Sequence, residues 1–187
     1  SIYHLYTTYD IEWVTSYDEG IVISSPLNIG TNKKTGVSID GKIMPLKQLT
    51  ITGDFSYGWF IRNGAYNKES FDFTGDQWES KLTSKIKLPA DIDIEFTGRY
   101  HSSVRSVQGK ISAFSTTDAG IRKKMLNGKL VLNISVRDIF ESRKRESYVY
   151  QTDYTSYSLY QRGRFFKIGL SYGFGKGEAM YYYGGKR

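Results

Sequence analysis

The side chains in this sequence that could do acid–base or metal chemistry are few. His4 and His101 are the only histidines, and the chain has no cysteine. Without cysteine there are no disulfides, no thiolate catalysis and no cysteine-based zinc or iron–sulfur sites. Two histidines far apart in the sequence also make a multi-histidine metal site a poor hypothesis. We therefore predict neither a metal ion nor a cofactor.

One segment has the residue types of a nucleophilic site. In Tyr100-His101-Ser102-Ser103, the imidazole of His101 could serve as a base for the Ser103 hydroxyl. Such a site needs a carboxylate to orient the imidazole, and no acid can be assigned by spacing. A polar lumen histidine next to a loop is the better explanation of the segment. We predict that the protein is not an enzyme.

A second segment combines cations with aromatic rings. Arg143-Lys144-Arg145 is followed by five tyrosines at short intervals, which are Tyr148, Tyr150, Tyr154, Tyr157 and Tyr160. Interleaved cations and aromatics can bind a ligand by stacking and cation–π contacts, and the same basic residues can contact an anionic surface. We take Arg143, Lys144, Arg145, Tyr148 and Tyr150 as candidate contact residues.

The net charge of +7 raises the question of nucleic acid. Basic residues alternate with acidic ones instead of forming one stripe, apart from 122–124 and 143–145. No zinc-finger, homeodomain or RNA-recognition pattern occurs in the sequence. The charge therefore does not indicate a nucleic-acid partner.

Apolar residues recur at every second position through most of the chain, and no stretch has a helical period. This alternation predicts eight strands with one apolar and one polar face, over 3–13, 34–44, 49–61, 77–88, 92–101, 112–124, 130–137 and 158–174. In the first strand, one face carries Tyr3, Leu5, Thr7, Tyr9, Ile11 and Trp13. Short turns are predicted at 44–48, 88–91 and 125–128, and longer polar links at 17–33, 62–75, 102–112 and 141–157. Both termini then lie at the short-turn end.

The strands are too long for an ordinary soluble sandwich. Several exceed ten residues, against the usual five or six, and a strand that crosses a membrane needs about 9–11. The apolar stripes have aromatic residues near their ends, namely Tyr9, Trp13, Tyr57, Trp59, Tyr100, Tyr172 and Phe174. The opposite face mixes acids with bases, as a wet interior tolerates. We predict an all-β, antiparallel, up-and-down transmembrane β-barrel over residues 1–176, followed by a tail at 177–187.

The last predicted strand has the pattern of an assembly signal. Lys167, Gly169, Tyr172 and Phe174 match the polar residue, glycine and alternate aromatics of the C-terminal signal that outer-membrane assembly machinery reads. An edge strand with free backbone groups can add to another sheet before the barrel closes.

Four stretches resemble a known family: 118–124, 126–130, 136–140 and 169–176. They are similar to the C-terminal part of a large outer-membrane β-barrel family of Bacteroidetes that is related to TonB-dependent receptors. The resemblance implies a large barrel with an N-terminal plug, energised through TonB. The present sequence contains neither a plug nor a TonB box. The resemblance therefore implies that it is the last part of such a barrel.

We therefore expect the C-terminal portion of a TonB-dependent-receptor-like transporter that supplies wall and outer loops for nutrient uptake. Its termini would be periplasmic. Expected partners are outer-membrane lipid and lipopolysaccharide, the barrel-assembly machinery, and the rest of the barrel with its plug. Two alternatives are a self-contained eight-stranded barrel with a structural or adhesive role, and an outer-membrane enzyme that modifies lipid.

Overall fold

A computed structural model describes residues 1–66 and 69–174, and it contains strands and turns. The predicted tail at 177–187 lies outside these residues. The strands, in chain order, are β1 Ile2–Asp18, β2 Ile21–Leu46, β3 Leu49–Tyr66, β4 Glu69–Ser70, β5 Phe73–Leu88, β6 Ile92–His101, β7 Val104–Ser106, β8 Gly109–Ile111, β9 Phe114–Met125, β10 Leu130–Arg137, β11 Lys144–Tyr150, β12 Thr155–Gln161 and β13 Phe165–Tyr172.

Eight long strands form the main sheet in the order β1-β2-β3-β5-β6-β9-β10-β13, with β4 paired to β3. Every pairing is antiparallel and joins strands that follow one another up and down. The predicted all-β antiparallel architecture is confirmed. Within the described residues β1 and β13 do not pair with each other. A second, small sheet has the order β12-β11-β8-β7.

The three predicted short turns are confirmed, and they lie at one end of the main sheet. Lys47 and Gln48 link β2 to β3, and 89–91 link β5 to β6. The turn between β9 and β10 places Leu126, Asn127 and Gly128 at positive φ, which is the backbone that reverses a strand tightly. We call this end of the sheet the short-turn end.

The predicted long links are largely strands. The link at 17–33 is wrong, because β1 and β2 continue through it and turn at Glu19 and Gly20, both at positive φ. Polar side chains do not prevent ladder pairing, and the β-branched run at 21–23 favours it. The links at 102–112 and 141–157 contribute β7, β8, β11 and the first three residues of β12 to the small sheet. The predicted strand at 158–174 is in fact two strands, because β12 ends at Gln161 and β13 begins at Phe165.

The main sheet has an exposed apolar face and an opposite polar face, which carries cross-strand ion pairs. One row across six strands consists of Leu49, Ile86, Ile94, Ile121, Ile134 and Ile168. Ile168 is 74% exposed and Leu82 57%. Among the described residues only Val14, Phe60, Phe73 and Val131 are buried apolar side chains. An exposed apolar face of this size is not the surface of a water-soluble monomer.

Aromatic rings mark one boundary of that apolar face. Trp78 stacks on Tyr100 with centroids 4.6 Å apart and lies 5.9 Å from Phe55, and Tyr57 is its partner in the ladder. These four residues form what we call the aromatic belt. From Trp78 to Leu88, a strand tilted by about 40–45° rises roughly 23–25 Å, close to the apolar band of outer-membrane barrels. On the other side of the belt, the outward positions become mixed, with polar residues such as Lys33, Asn63 and Asp76 beside apolar ones.

β1 begins in the ladder row of Tyr57 and Trp78 and runs from there away from the short-turn end. Its first residue, Ile2, pairs with Val37, and the Ser1 ammonium donates to the Ser38 carbonyl oxygen at 2.7 Å. The prediction that both termini lie at the short-turn end is therefore wrong for the N-terminus, whereas β13 does end there. Tyr9 and Trp13 lie farther along the hairpin and do not belong to the belt. The alternation in β1 could not reveal this offset, because pairing register is not encoded in a single strand.

A bulge at Tyr9 also exchanges the faces of β1. Tyr9 has φ 58°, and the register shifts on both sides of Asp10. Before the bulge Tyr3 faces inward, where a Cβ on Gly58 would come within 3.0 Å of its hydroxyl. After the bulge Asp10 faces inward instead. The predicted single face from Tyr3 to Trp13 is therefore wrong, since one inserted residue reverses the side-chain parity of all that follow.

Candidate functional site

The polar face of the main sheet carries ion pairs between neighbouring strands, and we call it the inner face. Lys81 lies 3.9 Å from Asp54, and Lys85 lies 3.6 Å from Asp93. Asp54 and Lys81 are direct ladder partners, whereas Lys85 reaches diagonally to Asp93, because its direct partner is Glu95. The predicted mixture of acids and bases on one face is thus realised as cross-strand pairs.

The small sheet extends across the inner face as far as β1. The Gln108 side chain accepts a hydrogen bond from the Thr15 backbone N–H at 2.6 Å and donates to the Thr15 carbonyl at 2.8 Å. The Tyr154 hydroxyl donates to the same carbonyl, and its ring lies 5.8 Å from that of Tyr17. Gln108 thereby imitates a strand neighbour. These contacts join residues more than ninety positions apart, and no sequence pattern predicts them.

A second contact between the small sheet and the inner face centres on Arg62. Its guanidinium forms an ion pair with Glu12, lies 3.9 Å from Asp10, and stacks over Phe60 at 5.0 Å. Arg105 of β7 lies 5.2 Å from the centroid of Phe73 in the same group. The alternation over 3–13 places Asp10 and Glu12 on the polar face of the first predicted strand. It does not indicate their partner, because Arg62 falls in a predicted link.

Four arginines converge on the inner face, at the end that is farther from the short turns. Arg99, Arg137, Arg143 and Arg162 line a concavity of about 500 Å³ together with His101, Phe114, Thr116, Asp118, Asp138, Gly163 and Phe165. We call it the arginine concavity. Of the predicted contact residues it contains only Arg143. Arg99, Arg137 and Arg162 were not among the predicted contact residues, because they come from segments that are distant in the sequence.

Asp138 fixes the turn that presents Arg143. Asp138 is 4% exposed, and its carboxylate accepts hydrogen bonds from the backbone N–H groups of Ser142 and Arg143, both at 3.0 Å. The Ser142 hydroxyl adds a third bond at 3.2 Å. The backbone N–H of Asp138 in turn donates to Asp118 at 3.0 Å. This network holds the root of β11 against β9.

His101 has an acidic partner that spacing did not reveal. Its Nδ1 lies 3.4 Å from the Glu79 carboxylate, directly across the β5–β6 ladder, and its ring stacks on Phe114 at 4.6 Å. The Ser102 hydroxyl accepts from the Trp78 backbone N–H and donates to the Ser103 carbonyl. Within residues 1–66 and 69–174, no hydrogen bond joins His101 to Ser103.

Three tyrosines of the small sheet, Tyr148, Tyr150 and Tyr157, form a cluster on one of its faces. The ring of Tyr148 lies 5.1 Å from that of Tyr157 and 6.3 Å from that of Tyr150, with the Lys110 ammonium 5.4 Å from its centroid. Desolvation and the adjacent Glu146 carboxylate raise the pKa of Tyr148 above its usual value, and desolvation with the Glu146 hydrogen bond does the same to the pKa of Tyr157. Tyr148 and Tyr150 therefore lie together, whereas Lys144 and Arg145 are exposed at the start of β11.

The predicted assembly signal lies on an edge strand. Among the described residues β13 pairs with β10 alone. Lys167 and Gly169 lie opposite Ser135 and Asn133 on the inner face. Tyr172 is on the apolar face, and its ring meets that of Phe174 edge-on at 4.9 Å.

The described part of the chain lacks two features, a membrane-spanning helix and a cluster of metal ligands. It contains no helix that is long and apolar enough to cross a membrane. It also contains no group of three or more histidine, cysteine, aspartate or glutamate side chains in an arrangement that could hold a metal ion.

Comparison with known proteins gives one match. The sequence profile of the outer membrane protein beta-barrel family matches residues 1–172, which is nearly the whole chain. No curated protein and no solved structure matches it. The chain belongs to the outer membrane protein beta-barrel family, and its exposed apolar face is the surface that such a barrel presents to lipid.

Proposed function

We propose that this outer-membrane barrel chain is the C-terminal portion of a TonB-dependent-receptor-like transporter. In that role the main sheet is part of the barrel wall, and the β1–β2 hairpin and the small sheet are outer loops along a path for nutrient uptake. The termini of the wall strands at the short-turn end face the periplasm.

The observation that carries this proposal is the outer edge of β13. Among the described residues β13 pairs with β10 alone, and β1 does not pair with it. The ladder rows of β13 lie between the short-turn end and the aromatic belt. Backbone N–H and C=O groups at that depth require partners, because lipid provides none. A strand from elsewhere in a larger wall would supply them.

The inner face supports the same proposal. Its cross-strand ion pairs, such as that of Lys81 and Asp54, retain side-chain exposures of about half, 46% and 51%. A small barrel filled by its own side chains would bury such pairs more completely. An inner surface that stays wet suits the wall of a wide barrel that passes a solute or surrounds a plug.

Gel migration separates a wall segment from a complete barrel. We expect the 187-residue chain, refolded alone in detergent, to show no heat-modifiable migration, whereas the protein at its natural length shows it. In cells, uptake of the solute should stop when the proton-motive force is dissipated. A compact, heat-modifiable monomer formed by the 187 residues alone would overturn the proposal.

A self-contained small barrel with a structural or adhesive role is the second candidate, and one observation favours it. Gln108 and Tyr154 reach from the connections of the last strands to Thr15 in β1, so the sheet must curl toward its own first strand. In this candidate the sheet edges meet without outside strands. The same gel experiment decides between the two, because only a closed barrel is heat-modifiable.

The partners follow from the two faces. We propose that assembly machinery binds β13 through Lys167, Gly169, Tyr172 and Phe174. The test is the yield of folded protein in outer membranes after the double change Tyr172→Ala and Phe174→Ala, with Phe166→Ala on the same face of β13 as the control. Unchanged yield for the double variant would contradict the assignment.

The exposed cations Lys144 and Arg145 are proposed to contact lipopolysaccharide outside the barrel. The proposed wall does no covalent chemistry, so His101→Ala should leave the lipid A composition of the cell unchanged. A lipid A species that disappears in this variant would instead support the lipid-modifying enzyme.

A further inference from the structure

We infer that the arginine concavity binds the phosphate group of a small dissolved solute through Arg137, Arg143 and Arg162. The inference deepens the proposed function, because it names the chemical class of solute that the outer mouth of the barrel selects. It rests on the proposed function for the further passage of that solute. The binding itself depends only on the side chains that line the concavity.

The charge balance of the concavity is positive. Four arginines face two aspartates, which leaves a formal charge of +2 with His101 neutral. The two aspartates are already occupied: Asp118 pairs with Arg99 at 2.7 Å, and Asp138 holds the backbone of its own turn. Within the described part of the chain, the other three guanidinium groups form no ion pair. An anion is the partner that this arrangement lacks.

The fold brings these three arginines together from separate elements. Arg137 is the last residue of β10 and lies opposite Phe165 in β13. Arg143 and Arg162 lie just outside the ends of β11 and β12, and the Arg162 backbone N–H donates to the Arg143 carbonyl at 3.5 Å. The main sheet thus contributes one cation and the root of the small sheet contributes two. Their convergence is a consequence of topology, not of a basic run in the sequence.

Phosphate fits this donor set better than a single carboxylate does. Each planar guanidinium can donate two parallel hydrogen bonds to neighbouring oxygens, and a phosphate monoester offers three terminal oxygens with nearly two charges. The stacked rings of His101 and Phe114 line the same space and offer an apolar surface to the organic part of an ester. Because the concavity opens on the inner face, away from the lipid stripe, its phosphate comes from a dissolved solute.

The test measures binding of inorganic phosphate and phenyl phosphate to the protein at its natural length, extracted in detergent. We expect the triple variant Arg137→Gln, Arg143→Gln and Arg162→Gln to bind both probes at least tenfold more weakly than the unaltered protein. The matched control Lys47→Gln, Lys87→Gln and Lys129→Gln removes the same charge from exposed positions outside the concavity. It should change affinity less than twofold. Far-UV circular dichroism verifies the strand content of both variants.

The outcomes are distinct. Equal losses in the two triple variants would show a diffuse charge effect and overturn the inference, as would unaltered binding in the concavity variant. A lipid source is tested with micelles that contain phosphatidic acid, which should bind both variants alike. If instead only phosphatidic acid distinguishes them and neither free phosphate compound binds, the dissolved solute is excluded. None of these results depends on energy coupling. Uptake that does not require TonB would therefore refute the proposed function without affecting the phosphate inference.

Discussion

The same strands pass through two regions of the molecule that differ in their outward side chains. Between the short-turn end and the aromatic belt, outward positions are mostly apolar, as at Leu82 and Ile134, with Ser80 and Ser84 among the exceptions. Beyond the belt, in what we call the extension, they are mixed, as at Lys33 and Asp76. The backbone ladder is continuous across the boundary, for Leu49 to Arg62 of β3 pair with β5 without a break in register. Hydrogen bonding therefore builds the strand, and the surroundings choose its outward residues.

The two regions also tolerate different irregularities. The bulge at Tyr9 lies in the extension, where water can satisfy the backbone groups that a bulge leaves unpaired. In the apolar region, β5, β6, β9, β10 and β13 pair without any register shift, and β2 and β3 shift register only between Ile43 and Leu46, next to their turn. Lipid cannot hydrogen-bond a displaced backbone, so regular pairing is expected there.

The largest expected effect comes from placing one charge in each region. Leu82→Arg puts a guanidinium near the middle of the lipid-facing band and should lower the free energy of unfolding by about 2–4 kcal/mol. Ile11→Arg makes the same change in the extension, at a residue that is 66% exposed, and should cost less than about 0.5 kcal/mol. Denaturant unfolding in lipid vesicles measures both. Similar costs at the two sites would mean that the belt does not mark the membrane boundary.

The next effect tests how the extension holds its connections. Asp138→Ala removes an acceptor of three hydrogen bonds and leaves the Ser142 and Arg143 N–H groups without it, so we expect a loss of about 1–3 kcal/mol. Asp138→Asn keeps one oxygen acceptor and tolerates the positive φ, so it should lose less. Asp153→Ala, at an exposed turn, is the control. Thermal unfolding that ranks the alanine and asparagine variants equally would contradict this account of the turn.

The boundary between the regions explains what could be predicted from the sequence. Below the belt, burial in lipid enforces strict alternation, and β3, β6 and β10 were predicted close to their observed bounds. In the extension no apolar solvent enforces it, so β2 from Ile21 to Lys33 was interpreted as a link. The site depends on pairings such as Gln108 with Thr15 and on Arg62 with Glu12. Those need the register of distant strands, which local alternation does not contain.

A smaller effect should follow from releasing the small sheet. Gln108→Ala removes both hydrogen bonds to the Thr15 backbone, and we expect the hydrogen-exchange protection of the Thr15 amide to fall by about fivefold, which corresponds to about 1 kcal/mol. Amides of the lipid-facing band should be unaffected, because the contact lies wholly in the extension. Gln161→Ala, at an exposed position in β12, is the matched control. If band amides lose as much protection as Thr15, the two regions unfold as one unit and their distinction fails.

The smallest effect concerns the tyrosine cluster of the extension at high pH. The raised pKa values of Tyr148 and Tyr157 mean that the folded small sheet holds these phenolic protons more tightly than the unfolded chain does. This contribution to stability is present in full below the usual tyrosine pKa near 10 and is lost as the pH rises through the raised values. Absorbance at 295 nm should therefore show a late-titrating pair of phenols. Glu146→Gln removes the carboxylate that both hydroxyls contact, so it should lower both pKa values without restoring them fully, since desolvation remains.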